Sequence, residues 1–286
     1  MKNAPNLELS LLARQWGATA LPFGELTPDA WLDTPQTQRA RALLDQTATL
    51  RSVMLLAGPN GVGKSALVGR WVQSLDRRLF HPVVLTHATL SGSNLLSTLT
   101  RKLGQPAVCR RDTNLALIES ALAQLDRVVP VLVLDEAQNY SHATLEEVRL
   151  LLGLNLAEPP AFALLLVGDE YLLSTLRLRH HRALYSRIGC HHSLLPWTSA
   201  QVAQYLQQSL VAVGLQREIF EPPALALLTS ASAGLPRSLC LLARTAWIQA
   251  ATLGAQRIQP AHVQHAIDTV PGAATHAPLT ELEPAS

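Results

Sequence analysis

Cysteine is scarce and scattered in this sequence. The three present, Cys109, Cys190 and Cys240, lie far apart and form no C-x-x-C pair. That excludes a disulfide scaffold, a zinc ribbon and a paired redox site, and predicts buried or unreactive thiols in a reducing compartment. Charge is sparse too. Charged residues make up 15% of the chain, below the usual quarter or so, and the formal net charge is only +2. A protein that coats nucleic acid by bulk charge is thereby excluded, although a local basic patch is not. Long apolar runs are missing. Residues 131–134 and 161–167 fall well short of the about 20 residues needed to span a bilayer. The N-terminus carries Lys2, Glu8 and Arg14 without an apolar signal core. The expectation is a cytoplasmic protein without a membrane partner. No internal repeat is visible.

What is present is a large apolar fraction, 48% of 286 residues, dominated by Leu and Ala. That is enough for one large domain or two modest ones, rich in helix. Short apolar runs at 52–57, 83–86, 131–134 and 162–167 read as strands, the third buried on both faces, with Leu194-Leu195 in a fifth. Between them, helical periodicity covers 36–49, 65–79, 95–103 (stopped by Gly104), 114–128 (entered by Asn114 as N-cap) and 145–152. Strands alternating with helices imply an α/β fold with an open parallel sheet flanked by helices. Beyond Pro196 the strands cease, and 200–213, 223–230, 236–252 and 261–270 read as helices. The expected organisation is an N-terminal segment 1–50 (a short helix at 7–16, then an irregular stretch), an α/β domain 51–196, a small all-helical domain 197–270 and a loose tail 271–286.

The first strand runs directly into Gly58-Pro59-Asn60-Gly61-Val62-Gly63-Lys64-Ser65-Ala66, which opens a helix. Strand, G-x-x-x-x-G-K-S and helix form the context of a phosphate-binding P-loop. The glycines let the backbone curl so that successive N–H groups point inward at phosphate oxygens. The helix N-terminus adds a positive dipole end. Lys64 is expected to reach the β- and γ-phosphates of ATP, and Ser65 to ligate Mg²⁺. The third strand ends in Asp135-Glu136, at the edge where open α/β sheets gather their ligands. Asp135 would hold the Mg²⁺ shell, and Glu136 would position and polarise an attacking water.

These two motifs, the second continuing Ala137-Gln138, resemble those of AAA+ ATPases. The resemblance runs to the branch of the transposition regulators TniB, TnsC and IstB, with the secretion ATPase ExeA nearby. Four further stretches carry it: Trp16-Gly17 with Leu21-Pro22-Phe23; Leu166-Val167-Gly168 with Glu170 and Leu172; Ala183 to Ile188; and Gly234-Leu235-Pro236-Arg237. The resemblance implies an AAA+ parallel sheet followed by a helical lid. It assigns Arg187 as an arginine finger acting in trans on the neighbouring subunit's ATP, with Arg179 and Arg182 as competitors. It makes Arg237 the sensor that contacts γ-phosphate in its own subunit. The chain departs from the pattern at Asp169, where the branch carries a neutral polar residue and a nearby proline. A carboxylate there repels a γ-phosphate unless a cation lies between, so either the sensor-1 role of this position is weakened or Asp169 points elsewhere. The implied enzyme is a slow, assembly-dependent ATPase.

The implied function is an ATP-dependent DNA-transposition regulator, a homo-oligomer that forms a ring or filament on double-stranded DNA and recruits or activates a transposase. Arg101, Lys102, Arg110 and Arg111 are the candidate phosphate contacts. The alternatives are an ExeA-like secretion or envelope ATPase, a helicase loader and a signalling switch that never meets DNA. An ExeA-like protein would continue into a membrane anchor and a cell-wall domain, which is not expected after the lid. The five tryptophans are expected in the core or an adenine pocket. The pairs His180-His181 and His191-His192 do not point to a metal, because adjacent histidines point apart in most backbone geometries.

Overall fold

The computed structural model describes residues 4–24, 31–86, 91–125, 127–154 and 160–271; the expected tail lies outside them beyond residue 271. The strands β1 (Val53–Ala57), β2 (Phe80–Leu85), β3 (Val129–Leu134), β4 (Ala163–Val167) and β5 (Ile188–Ser193) form one sheet in the order β2-β3-β4-β1-β5. All four pairings are parallel. Every residue of β1 and β4 is buried, as apolar runs without alternation require. Leu55, Leu134 and Leu166 enter a core shared with Leu95, Leu96, Ile118 and Val148. These come from α4 (Gly92–Lys102), α5 (Arg111–Gln124) and α6 (His142–Leu151). Met54 and Leu56 face the other way and are equally buried, and α2 (Pro35–Thr49) packs on β1, β4 and β5. Thr34 starts α2 through a capping box with Thr37. The P-loop helix α3 (Lys64–Ser74) is tied to α2 by Trp71 Nε1 donating to Asp45 (2.7 Å).

Two expectations at element ends need correction. The fifth strand precedes Leu194-Leu195. It is one of the sheet's two edges, reads Ile-Gly-Cys-His-His-Ser, and alternates between half-buried and exposed, so hydrophobicity does not reveal it. Asn114 does not cap α5, which begins at Arg111 with Arg110 as its N-cap. The Asn114 side chain is buried and holds the preceding loop instead. It accepts from Val108 N–H (3.0 Å) and donates to Val108 O (2.8 Å) and Ser97 Oγ (3.1 Å).

The chain divides into two compact units, and the division differs from the expected one at the start. Met1–Asp33, Gly61–Gly63 and Pro196–Ser286 form one unit, while Thr34–Asn60 and Lys64–Leu195 form the sheet unit. The first contains α1 (Ala4–Gln15), α9 (Ser199–Ala212), α10 (Pro222–Ser232), α11 (Pro236–Thr252) and α12 (Pro260–Thr269). Its core is built on Trp16 and Trp247, edge to face at 5.7 Å, with Tyr205, Leu239, Leu242 and Ile258 around them. Trp16, Trp71 and Trp247 are buried, as expected of core tryptophans. Of the thiols, Cys109 is exposed, so it is not among the buried ones, while burial raises the pKa of Cys240.

Gly234 joins α10 to α11 at φ +69, and its carbonyl accepts from Trp197 N–H (2.8 Å). A Cβ there would lie 2.2 Å from Trp197 O, whereas at Gly254 (φ +68) nothing lies within 4 Å. Gly254→Ala should therefore cost only the left-handed backbone strain, about 1 kcal/mol. Gly234→Ala should cost about 2 kcal/mol more through forced displacement. Urea unfolding of both variants measures the gap; equal losses would show that the Trp197 contact does not constrain this turn.

Candidate nucleotide site

The loop after β1 turns on three glycines with positive φ: Gly58 (148), Gly61 (84) and Gly63 (105). Lys64 opens α3 and is only 5% exposed. Its ammonium donates to Gly58 O (2.7 Å) and Pro59 O (3.1 Å), so the cation is held over the loop. Ser65, next on the helix, is exposed, and Ala66 is half-buried.

Asp135 follows β3, its N–H donating to Leu85 O (2.9 Å). Its Oδ1 accepts from Glu136 N–H (3.0 Å). Glu136 is left-handed (φ 54, ψ 35), an arrangement costly for a residue with a side chain and typical of functional sites. Its Oε2 accepts from Gln138 Nε2 (2.6 Å). Gln138 Oε1 in turn accepts from Asp169 N–H (3.2 Å). One amide therefore links the acid after β3 to the backbone after β4. Gly168 makes room for it: a Cβ at 168 would lie 2.8 Å from Gln138 Oε1 and 2.6 Å from Leu172 Cδ2. Sequence reading assigned Gln138 no role, and its only signal was a long amide two residues past Glu136. Tyr140 lies close by, its hydroxyl buried and without a hydrogen-bond partner among the described residues. Burial, and then the charge of Asp135, push its pKa up to about 12, so it stays a neutral phenol.

Asp169 points elsewhere, the second of the two alternatives. Its Oδ1 accepts from the N–H groups of Tyr171 (2.9 Å) and Leu172 (3.2 Å), capping α7 (Glu170–Leu176). Arg187 is exposed in the turn between α8 (Arg182–Tyr185) and β5, its Nη1 donating to Ala183 O (2.7 Å). It has no ion pair among the described residues. Arg179 and Arg182 are exposed on the same segment. In the helical unit, Arg237 is exposed at the second position of α11, and its N–H donates to Gly61 O (3.2 Å).

The four basic candidates divide into pairs. Arg101 and Lys102 end α4, exposed and free of ion pairs among the described residues. Arg110 meets Asp112 at 3.4 Å with both side chains largely exposed, a weak contact. Arg111 instead grips both oxygens of Glu147 on α6 (2.7 and 2.9 Å), a bidentate pair that fixes it in place.

The capping role of Asp169 gives a direct expectation. Asp169→Ala should destabilise by about 1 kcal/mol, whereas Asp169→Asn, also a strong N-cap, should cost little. Thermal melts of the two variants distinguish a cap from a charge needed for its own sake, since in the latter case Asn would be as damaging as Ala.

Residues 47–176 match the family described as AAA domain. The chain is 30% identical over 211 residues to general secretion pathway protein A of Aeromonas hydrophila, an alignment covering 72% of this chain and 38% of that protein. The chain thus spans well under half the length of that relative. Among solved structures it resembles the ADP form of the ORC2 protein of Aeropyrum pernix, with 19% identity and TM-score 0.65 over 86% of this chain and 71% of that one. It also resembles Drosophila ORC bound to DNA, with 19% identity and TM-score 0.66 over 91% and 65%. At such identities the likeness concerns the fold alone. The matched stretch, residues 47–176, holds both the P-loop at the end of β1 and Asp135-Glu136 at the end of β3.

Proposed function

We propose that the protein is an ATP-hydrolysing switch that assembles with ATP on double-stranded DNA and there recruits or activates a transposase. One observation carries the ATPase half: β4 lies between β1 and β3, so Lys64, Asp135-Glu136 and Gly168-Asp169 open onto one sheet edge. ATP is the substrate. Lys64 would exchange the carbonyls of Gly58 and Pro59 for phosphate oxygens. The exposed Ser65 hydroxyl and the half-buried Asp135 carboxylate are hard oxygen donors, the set that suits Mg²⁺. When bound there, Mg²⁺ neutralises charge on the phosphates. Glu136 has one oxygen held by Gln138 and the other without a hydrogen bond among the described residues. That second oxygen would orient a water towards the γ-phosphorus, and ADP and phosphate leave. Arg187 of a neighbouring subunit would stabilise the charge on the transferring group, and Arg237 would read the γ-phosphate in its own subunit. Hydrolysis would then wait on assembly.

The DNA and transposase half rests on the resemblance of the motifs, with support from the fold shared with a DNA-bound structure. Arg101 and Lys102 are the cations best placed to meet phosphates, because Arg111 is committed to Glu147. A homo-oligomer, ring or filament, would repeat that pair along the duplex and so compensate for the low net charge. Such a switch would act in the cytoplasm; no helix among the described residues is long and apolar enough to cross a membrane. A secretion or envelope-assembly ATPase is the second reading, favoured by the 30% identity to general secretion pathway protein A.

Lys64→Ala should weaken ATP affinity by at least about tenfold in a direct binding assay, from the loss of its contacts to the phosphates. Glu136→Gln should bind ATP normally but hydrolyse it about 10² to 10⁴ times more slowly. Arg187→Ala should lose about 10³-fold in turnover at protein concentrations where the parent is assembled. Unchanged turnover would remove the trans finger.

The DNA half has its own measurement. In the ATP state, Arg101→Ala with Lys102→Ala should reduce the slope of log affinity against log salt by about 1.8 per subunit, or 0.9 per lost phosphate contact. Electron microscopy with ATP, with and without duplex, separates the two readings. A DNA-dependent oligomer supports the first, and its absence favours the second.

A further inference from the structure

Three imidazoles converge outside the nucleotide site. His142 is the first residue of α6, placed there by Ser141, whose hydroxyl caps the helix by accepting from Thr144 N–H. His180 and His181 belong to a 3-10 turn, Arg179–His181, that feeds α8. The expectation that adjacent histidines point apart fails here, because the third ring lies across from both. His142 Nδ1 is 2.7 Å from His181 Nε2 and 3.0 Å from His180 Nε2. The rings pack at centroid distances of 4.3 to 4.9 Å. All three nitrogens lie within 4.8 Å of one another.

Hydrogen bonding alone does not satisfy this arrangement. A neutral imidazole nitrogen carries either one proton or one lone pair, so His142 Nδ1 can make one good linear bond, yet two nitrogens approach it. A cation accepting a lone pair from each ring satisfies all three together. With metal–nitrogen bonds of about 2.0–2.1 Å in a tetrahedron, ligand nitrogens stand roughly 3.3 Å apart, a little wider than the 2.7 and 3.0 Å between His142 and its two neighbours. Imidazole sets of this kind suit Zn²⁺ and its transition-metal neighbours rather than Mg²⁺. Glu146, one turn along α6, has its Oε1 engaged by Arg149 (2.8 Å). His181 is buried while His142 and His180 are exposed, so the site opens to solvent on one side.

We propose that His142, His180 and His181 form a binding site for a Zn²⁺-class dication that staples the start of α6, just after Asp135-Glu136, to the segment leading into Arg187. This site needs no nucleotide, and its test is independent of the ATPase reading.

Untagged full-length protein, stripped with chelator and free of nucleotide, is titrated with Zn²⁺ alone by calorimetry. The expected result is one ion per chain, undiminished by millimolar Mg²⁺. His142→Ala and His180→Ala should each weaken binding at least about tenfold, since each removes one of three ligands. Cys109→Ser and His191→Ala, which change an exposed thiol and an exposed histidine elsewhere, should leave it unchanged. Both ligand variants alter exposed side chains, and whatever their melting temperatures without metal, only the parent should gain stability on adding Zn²⁺. Hydrogen exchange should slow at 179–187 and at the start of α6 when Zn²⁺ is added. Absence of stoichiometric binding, or binding that survives His142→Ala combined with His180→Ala, overturns the site. Binding without slowed exchange overturns the staple.

Discussion

The hydrogen bonds that seat β4 between β3 and β1 govern most of what this chain can do. A parallel strand in the middle of a sheet has both ladders filled, and its C-terminal end must open beside those of its neighbours. The register that pairs Leu166 with Leu55 on one side and with Leu134 on the other brings three loops to one edge. They carry the lysine of the phosphate loop, the acidic pair and the Gly168-Asp169 turn. None of these residues is near the others in sequence. The apolar runs that bury β1, β3 and β4 on both faces therefore do more than form a core, since they fix the separation of the charged groups at its rim.

How much of this was legible follows from where the information lies. The strands β1 and β3 could be read because unbroken apolar runs adjoin motifs with their own spacing rules. The four long C-terminal helices could be read from periodicity and from the prolines that open three of them. The edge strand β5 could not, because a strand with one ladder and half-exposed faces tolerates Gly, Cys and two histidines. Asn114 misled for a related reason. Its amide is a good helix cap in isolation, but here it serves loop backbone on the far side of its own helix start.

The candidate site divides along the same line. Lys64, Ser65, Asp135 and Glu136 announce themselves by local pattern. Gln138 does not, because its importance comes from meeting Asp169, 31 residues later. The histidine cluster is hidden more deeply. Its contacts join residues 38 and 39 apart in sequence, and sequence alone offers only an adjacent pair whose side chains ought to diverge. Local chemistry is written in the chain, whereas encounters between distant side chains are written in the topology.

The missing side chain at Gly168 has a consequence for how this protein can change. The volume that a methyl group would take there is filled by Gln138 Oε1 and Leu172, and the same amide steadies the Glu136 carboxylate. Positions 138, 168 and 172 thus meet in one small space. A side chain at 168 would press on Leu172 Cδ2 (2.6 Å) and Cβ (3.0 Å) as well as on Gln138 Oε1 (2.8 Å), so a shorter residue at 138 does not by itself make room for it. Growth at 168 would therefore disturb the packing of α7 and the amide that holds the Glu136 carboxylate at the same time.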